Sequence, residues 1–330
     1  MRILLANPHG FCAGVVMAIR TLDRALELYG PPLYVYHEIV HNNHVVESFR
    51  RRGVIFVDAI GEVPEGGRLI YSAHGVGPQV REQAALRSLR TIDATCPLVS
   101  KVHLEAIRFA ADGRTVILIG HAGHDEAVGT LGEAPEQMKL VESVSDVDAL
   151  KVPDPEKVAY ITQTTLSVDE ANHIIDRLKA RFPRITGPPK KDICYATQNR
   201  QDAIKMFLPA ADVVLVLGSR NSSNSNRLAE IAREGGRPAY LIDRADEIDP
   251  TWLEGCETVL VTAGASAPEE VVEECVAYLV DRYDARIEQG TVREEHAQFA
   301  LPVELRVAEE AVRNANPVQL AVVSPPVSAP

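Results

Sequence analysis

Three isolated cysteines, Cys12, Cys96 and Cys194, are the residues of this sequence best suited to chemistry. Each precedes or opens a predicted helix, and the positive end of a helix favours thiolate over thiol. Three thiolates in one pocket would repel one another, so the arrangement suits a pocket that also holds a cation or an iron–sulfur cluster. A single isolated cysteine is more often a small buried apolar residue, and we assign Cys256 and Cys275 to that role.

Local sequence predicts that each of the three cysteines stands at the start of a helix. Pro97 suits a first helical turn, so Cys96 is predicted to be an N-cap. Apolar residues recur at helical spacing after the other two cysteines, over 15–26 and up to Phe207. The positions of the three sulfur atoms therefore depend on the elements that hold these three helix starts in place.

A structural unit recurs along the chain: a β-rich run, a loop of small and polar residues, and then an amphipathic helix. Alternating strands and helices predict βαβ units with mainly parallel sheets, so the fold class is α/β. Ligands of open parallel sheets bind at the carboxyl ends of the strands, where these loops lie. The clearest units span 69–77, 116–126, 158–167, 213–224 and 259–268.

The spacing of the cysteines predicts three small α/β modules, arranged with pseudo-three-fold symmetry around a central site. The predicted divisions are residues 1–96, 97–193 and 194–284, followed by a C-terminal helix and flexible tail over 285–330. A helix over 297–315 could pack back, contact a partner or reach the mouth of the site. Pro317 to Pro330 is predicted to be disordered, because its composition cannot build a core.

Composition excludes several classes of function. The chain has 34 Lys and Arg against 46 Asp and Glu, a net charge of −12, so no broad basic surface for nucleic acid or anionic lipid is expected. Apolar runs are too short to span a bilayer. Five cysteines without a C-x-x-C pair argue against a disulfide framework or a zinc ribbon. We expect a cytoplasmic protein.

The polar loops carry groups suited to a small anion. Hydroxyls, amides and helix N-termini hold phosphate through N–H and O–H donors, and histidine adds further donors. Neither a P-loop nor a Rossmann glycine pattern is present, which argues against a nucleotide. Helix capping is the alternative for each Ser and Asn taken singly. The candidates are His41, His74, His124, Thr164, Ser222, Ser223, Asn224 and Ser266.

Two further side-chain patterns have competing interpretations. His41 with His44, and His121 with His124, are three residues apart and could bind a metal, although packing or hydrogen bonding is the commoner role. Glu126 either complements the start of a helix or donates protons beside the ligand. The neighbouring acid at 125 serves as the control residue for that choice, since dipole effects alone would make both acids equally dispensable.

Motifs along nearly the whole chain resemble one family, the 4-hydroxy-3-methylbut-2-enyl diphosphate reductases. Their combination is highly specific. The matching stretches are Asn7-Pro-His-Gly-Phe-Cys12-Ala-Gly-Val, Glu38-Ile-Val-His41-Asn, Ser72-Ala-His74-Gly-Val, Asp93-Ala-Thr-Cys96-Pro, Gly123-His124-Asp-Glu126, Thr162-Gln-Thr164-Thr-Leu-Ser, Asp192-Ile-Cys194-Tyr-Ala-Thr, Ser219-Arg-Asn-Ser222-Ser-Asn224-Ser and Thr262-Ala-Gly-Ala-Ser266.

The resemblance implies a reaction and a cofactor. That family reductively dehydrates an allylic diphosphate to isopentenyl and dimethylallyl diphosphates, the last step of the methylerythritol phosphate route to isoprenoids. It uses an oxygen-sensitive 4Fe-4S cluster, whose ligands would be Cys12, Cys96 and Cys194, with one iron left open to substrate. A ferredoxin or flavodoxin is the implied electron donor, and neither nucleic acid nor membrane is an implied partner.

The resemblance also implies roles for the remaining candidates. Glu126 would supply protons with the help of Thr164 and His124, and the other polar residues would surround the diphosphate. Those residues are His41, His74, His124, Thr164, Ser222, Ser223, Asn224 and Ser266. Two alternatives remain: a non-reductive iron–sulfur hydratase or dehydratase, which would need no electron donor, and a redox-sensing metal-binding regulator.

Overall fold

Three separate parallel sheets, each covered by helices, make up the fold. The computed structural model describes residues 1–315, so the predicted disorder of 317–330 lies outside the described residues. The strands are β1 (Arg2–Asn7), β2 (Leu33–Tyr36), β3 (Val54–Val57), β4 (Arg68–Tyr71), β5 (Arg90–Asp93), β6 (Thr115–Ile119), β7 (Met138–Val141), β8 (Val158–Thr162), β9 (Val213–Leu217), β10 (Ala239–Ile242), β11 (Thr258–Ala263) and β12 (Arg286–Thr291).

The helices alternate with these strands over most of the chain, as the recurring unit predicted. Their bounds are α1 (Ala13–Tyr29), α2 (Asn43–Arg51), α3 (Pro78–Leu86), α4 (Pro97–Ala111), α5 (Asp125–Leu131), α6 (Val144–Ala149), α7 (Val168–Arg181), α8 (Tyr195–Phe207), α9 (Ser223–Glu234), α10 (Glu269–Tyr283) and α11 (Val303–Ala315). Within residues 1–315, no helix has both the length and the apolar character that a membrane span requires.

The largest sheet has the strand order β10-β9-β11-β1-β12, and all of its pairs are parallel. All five residues of β9 are buried, as expected for a strand covered on both faces by helices. Val214 and Val216 pack on one face against the core under α8 and α9, and Leu215 packs on the other face against the core under α10. The α/β class with parallel sheets is therefore confirmed.

The predicted module boundaries differ from the observed sheets at two strands. β1 was assigned to the first module, but it pairs in parallel with β11 and β12 at the other end of the chain. β12 lies beyond residue 284 and still belongs to the same sheet. The sequence could not predict these pairings, because the periodicity within a strand carries no information about which distant strand it pairs with. The division into modules itself stays a prediction.

The two smaller sheets have the orders β3-β2-β4-β5 and β7-β6-β8, again with parallel pairs only. Ile117 and Ile119 of β6 face the core beneath α6 and α7, whereas Val116 and Leu118 face the core beneath α4. The polar loops that follow β4, β6, β8, β9 and β11 all leave from carboxyl ends of strands. This is the edge at which a ligand of a parallel sheet binds.

The C-terminal segment packs back onto the first part of the chain. Leu305 of α11 is fully buried in the core under α1, and Glu309 accepts a hydrogen bond from Arg24 at 2.7 Å. The helix begins at Val303 rather than near 297. Pro302 stands immediately before this start, and the residue that precedes a proline, here Leu301, disfavours helical geometry. The irregular stretch before it brings Phe299 to the wall of the central cavity.

Candidate active site

The three cysteines are the N-caps of α1, α4 and α8, as predicted. Their side chains line a single cavity between the three sheets. The other two cysteines lie elsewhere: Cys275 is fully buried in the core under α10, and Cys256 packs against that core. The chain therefore separates three cysteines that share a cavity from two that pack as small apolar residues.

Backbone hydrogen bonds connect each cysteine to a loop from another part of the chain. The N–H groups of Cys12, Cys96 and Cys194 each donate at 3.0 Å to a carbonyl oxygen. Those oxygens belong to Ala265, Ala73 and Thr164, which stand beside or within the predicted anion-binding loops. Each cysteine is thus held beside polar residues that come from a distant part of the sequence.

Burial strongly affects the thiols. It raises the pKa of Cys96 to about 12 and that of Cys194 to about 11, and the other thiols of the group add to both shifts. Cys194 Sγ also accepts a hydrogen bond from the N–H of Thr197 at 3.4 Å. A Cβ on Gly14 would lie 2.6 Å from Cys96 Sγ, so only glycine leaves room at this position.

The cavity has a volume of about 770 Å³ when the part open to solvent at its mouth is included. Its apolar walls come from residues such as Val15, Val40, Val99 and Phe299, and polar and ionisable side chains complete the lining. All twelve predicted site residues line it: Cys12, His41, His74, Cys96, His124, Glu126, Thr164, Cys194, Ser222, Ser223, Asn224 and Ser266.

Three histidine rings form a cluster in this wall. His41 and His74 are stacked with ring centroids 3.8 Å apart, and His124 meets His41 edge-on at 5.3 Å. Burial lowers the pKa of His124 to about 4, and burial together with the neighbouring imidazoles holds the pKa of His74 well below its usual range. These two rings are therefore neutral at pH 7 and act as hydrogen-bonding groups.

The proposed histidine pairs for metal binding do not form. His44 bonds through Nε2 to the carbonyl oxygen of Asp243 at 2.9 Å, while His41 faces the cavity. His121 does not line the cavity with His124. Single residues of each pair thus take structural roles, which was the commoner alternative.

Asp125 contacts the histidine cluster, so it is not the inert control that the sequence suggested. Its Oδ1 accepts a hydrogen bond from His37 Nδ1 at 2.7 Å, and its Oδ2 lies 3.8 Å from His41 Nε2 and 3.9 Å from His74 Nδ1. Burial is the largest single influence and opposes ionisation of this acid, but the hydrogen bond from His37 and the charges of the neighbouring imidazoles together outweigh it and lower the pKa of Asp125. A negative charge therefore stands beside two rings of the cavity.

Glu126, the next residue, differs from Asp125 in that its pKa is raised and not lowered. Its Oε1 accepts the N–H of Thr164 at 2.6 Å, and its Oε2 accepts the Thr164 hydroxyl at 2.8 Å. Burial raises the pKa of Glu126 to about 7 despite these hydrogen bonds. Its own N–H donates to Nδ1 of His124 at 3.2 Å, so the neutral imidazole carries its proton on Nε2. The pair Glu126–Thr164 can hold and move a proton near neutral pH.

The hydroxyl and amide candidates lie at the start of α9 and in the loop after β11. Ser222 caps α9 by accepting the N–H of Ser225, so the capping alternative holds for this residue. Within residues 1–315, the amide of Asn224 is buried and neither Nδ2 nor Oδ1 has a hydrogen-bond partner. Ser266 donates to the carbonyl oxygen of His41 at 2.9 Å. Ser223 accepts from Thr165 at 3.1 Å.

Sequence reasoning missed several cavity residues. Thr165 and Thr197 were read only as part of matching stretches, although both line the cavity. The Thr197 hydroxyl lies 3.2 Å from Cys194 Sγ, which an N-cap three residues earlier would have predicted. No local signal marks Phe299, because its position depends on how the C-terminal segment packs back.

Comparisons with known proteins identify relatives of this chain over most of its length. The LytB protein family matches residues 3–280. The 4-hydroxy-3-methylbut-2-enyl diphosphate reductase of Rhodopirellula baltica is 56% identical over 313 residues, covering 94% of this chain and 98% of the relative. That of Mycolicibacterium paratuberculosis is 54% identical over 308 residues, covering 93% of each.

A solved structure shows the same fold. The E-1-hydroxy-2-methyl-but-2-enyl-4-diphosphate reductase of Plasmodium falciparum superimposes with a TM-score of 0.91 at 39% identity, covering 94% of this chain and 99% of that one. The sequence match to the Rhodopirellula baltica enzyme and the superposition on the Plasmodium falciparum structure each extend over 94% of this chain. The chain therefore belongs to the LytB protein family.

Proposed function

We propose that this chain is a 4-hydroxy-3-methylbut-2-enyl diphosphate reductase, which converts its allylic diphosphate to isopentenyl and dimethylallyl diphosphates. The observation that carries the proposal is the meeting of three cysteines, the Glu126–Thr164 pair and the unpartnered Asn224 amide in one cavity. The names of the relatives supply the substrate. In the balanced reaction, the substrate takes up two electrons and two protons and loses its hydroxyl oxygen as water.

The cysteine group fits an iron–sulfur cluster. Burial disfavours the thiolates of Cys96 and Cys194, so an inorganic cation is needed to stabilise three thiolates together. Gly14 leaves open the space in front of Cys96. Cys12, Cys96 and Cys194 would hold a 4Fe-4S cluster with one iron lacking a cysteine. When bound, such a cluster supplies electrons and a Lewis-acid position.

The polar wall suits a diphosphate. Among the described residues that line the cavity there is no Lys or Arg, so neutral donors and a helix end must bind the anion. The N-terminus of α9, a helix of 12 residues, offers its N–H groups and positive end. His41, His74, His124, Thr164, Ser222, Ser223, Asn224 and Ser266 would surround the substrate and orient it.

Glu126 would provide the acid. With a pKa of about 7, its carboxyl is partly protonated under neutral conditions and can give up a proton as the hydroxyl leaves. Thr164 can relay that proton, because a hydroxyl both accepts and donates: once Glu126 is protonated, the Thr164 oxygen 2.8 Å away can accept its proton and give its own to the leaving oxygen. His124 holds the backbone of Glu126 in place through its Nδ1. Apolar walls limit the access of water.

A ferredoxin or flavodoxin would deliver the electrons, and we expect the reaction to take place in the cytoplasm. The reducing compartment accords with five cysteines that are all free in the structure. The non-reductive and regulatory alternatives gain no observation of their own, since the relatives are named reductases.

The test is an anaerobic preparation in which iron and acid-labile sulfide per chain are measured, followed by turnover of the allylic diphosphate with reduced methyl viologen. We expect equal iron and sulfide, and product only when the reductant is present. Conversion without a reductant would favour the hydratase alternative. Zinc without sulfide, and no conversion, would contradict the proposal.

A further inference from the structure

α4, whose N-cap is Cys96, has an exposed outer side about two to three turns further along the helix. This side exposes Leu104, Ile107 and Arg108. Leu104 is 66% exposed and Ile107 is 44% exposed, so two large apolar side chains of one helix face solvent. No sheet or helix of the described residues covers them.

Lys101 connects this helix to the segment that leads to Cys194. Its Nζ donates to the carbonyl oxygen of Lys190 at 2.8 Å and to Asp192 Oδ1 at 2.6 Å. The segment is thereby fixed against α4 two residues before the cysteine, and the side chains of Lys190 and Lys191 remain exposed. The helix that follows Cys96 and the segment that precedes Cys194 therefore share one surface, which we name the α4 face (Leu104, Ile107, Arg108, Lys190 and Lys191).

A shallow depression in the α4 face reaches the backbone beside the cysteine group. It is lined by Thr95 and Pro97, the two neighbours of Cys96, together with Ser100, Lys101, Leu104, Glu105 and Arg108. Because Thr95 and Pro97 flank Cys96 in the chain, the depression adjoins the backbone on both sides of that cysteine. This is a short path for an electron.

The charge of this surface is opposite to that of the whole chain. The chain carries a net charge of −12, yet Arg108, Lys190 and Lys191 are exposed here, and within residues 1–315 none of them forms an ion pair. Of the nearby acids, Glu105 and Asp192 are buried and face Lys101 instead of solvent, and Asp112 is exposed at the far end of the helix. The exposed groups of the α4 face are thus cations around an apolar centre.

We propose that the α4 face docks a small acidic protein that carries single electrons. The inference rests on the proposed function, because a reductase must receive its electrons from outside. Two reduced carriers are oxidised for each substrate, which takes up both electrons with two protons. Cations around an apolar centre attract an acidic partner, speed its encounter and fix its orientation close to Cys96 and Cys194.

A second depression, beside Cys12, is the rival entry point. It is lined by Phe11, Arg20, Tyr195, Glu295 and Phe299. Arg20 is the exposed charged residue of its lining, because Glu295 is largely buried and is engaged by the buried Arg200 at 3.1 Å. The C-terminal segment occupies part of this side, so it offers an acidic carrier one exposed cation, whereas the α4 face offers three.

The experiment compares two reductants on the cluster-loaded enzyme. We expect the double variant Lys190→Glu/Lys191→Glu, and more weakly Arg108→Glu, to lower carrier-driven kcat/KM about tenfold or more with a reduced [2Fe–2S] ferredoxin of negative charge. Turnover with reduced methyl viologen should stay within about twofold of the parent. The dissociation constant for the oxidised ferredoxin, measured by calorimetry, should rise by a similar factor.

Two matched controls sharpen the result. The double variant Lys151→Glu/Lys157→Glu makes the same change of charge at residues that precede the amino end of β8. It should leave both carrier-driven and viologen-driven turnover unchanged. Arg20→Glu tests the rival depression. A loss of carrier-driven turnover in Arg20→Glu, with none in the Lys190 and Lys191 variant, would overturn the proposal. Absence of viologen-driven turnover in the parent would instead refute the proposed function, so the two failures are distinguishable.

Discussion

The two ends of the central cavity are built in different ways. At the cysteine end, the backbone is fixed by hydrogen bonds from Cys12, Cys96 and Cys194 to distant loops, while burial raises the pKa of Cys96 and Cys194 and so disfavours their thiolates. At the histidine end, the side chains hold one another, through ring stacking and through Asp125 and His37. The first arrangement suits a resident inorganic group, and the second suits a ligand that enters and leaves.

The largest effect should come from the cysteine end. Cys194→Ser replaces a soft sulfur ligand by a hydroxyl, so we expect loss of most bound iron and sulfide and no measurable turnover. Cys256→Ser is the control, since this cysteine packs outside the cavity. Iron and sulfide analysis of both variants, prepared anaerobically, makes the comparison. Full iron content in Cys194→Ser would contradict the assignment of a resident inorganic group to the cysteine end.

Glu126→Gln should separate chemistry from cluster binding. The amide keeps the shape of the side chain but cannot donate a carboxylic proton, so turnover should fall about 10²-fold or more. Visible absorption of the cluster should be unchanged, because Glu126 contacts Thr164 and no cysteine directly. Turnover close to that of the parent would remove Glu126 from the acid role.

The same carboxyl predicts the direction of the pH dependence. Because burial raises the pKa of Glu126 to about 7, the protonated acid is present below that pH and is lost as the pH rises through it. We expect kcat/KM to fall about tenfold per pH unit above pH 7. Residual activity of Glu126→Gln should show no such decline. A parent profile that is flat from pH 6 to pH 9 would contradict this assignment.

A smaller effect should follow from Asn224→Ala at the polar wall. Its buried amide has no partner within the described residues, and we expect a ligand to satisfy it, so the substrate KM should rise about tenfold. The absorption of the cluster should not change. Asn221→Ala is the matched control on the same loop, because Asn221 is exposed and bonds to Glu38. Equal KM values for both variants would exclude Asn224 from substrate binding.

The smallest effect should come from Asp125→Asn, and it should run in the opposite direction. Asparagine can still accept the hydrogen bond from His37, but it removes a negative charge that lies 3.8 Å from His41 and would repel a diphosphate. We expect KM to fall about two- to fivefold with little change in kcat, because the repulsion between two charges a few ångströms apart in water is about 1 kcal/mol. A rise in KM would show that Asp125 chiefly orients the rings.

Local chemistry explains what could be predicted from the sequence. The helix starts at Cys96 and Cys194, the parallel sheets and the shared cavity all follow from short-range patterns and from the carboxyl-edge rule. The pairing of β1 with β11 did not follow, because an apolar strand fits many partners. The positions of Asp125 and Phe299 depend on tertiary packing, so their types and spacing gave no signal.

The pairing of β1 also determines when the site can be completed during synthesis. The first strand and Cys12 emerge from the ribosome early, but their partners, β11, Ala265 and β12, are among the later residues of the chain. A nascent chain therefore has Cys12 without its hydrogen-bond partner until Ala265 is translated, and β1 without its neighbour β12 until residue 291 is translated. Insertion of an inorganic group that needs all three cysteines must then come after translation of these strands, not during it.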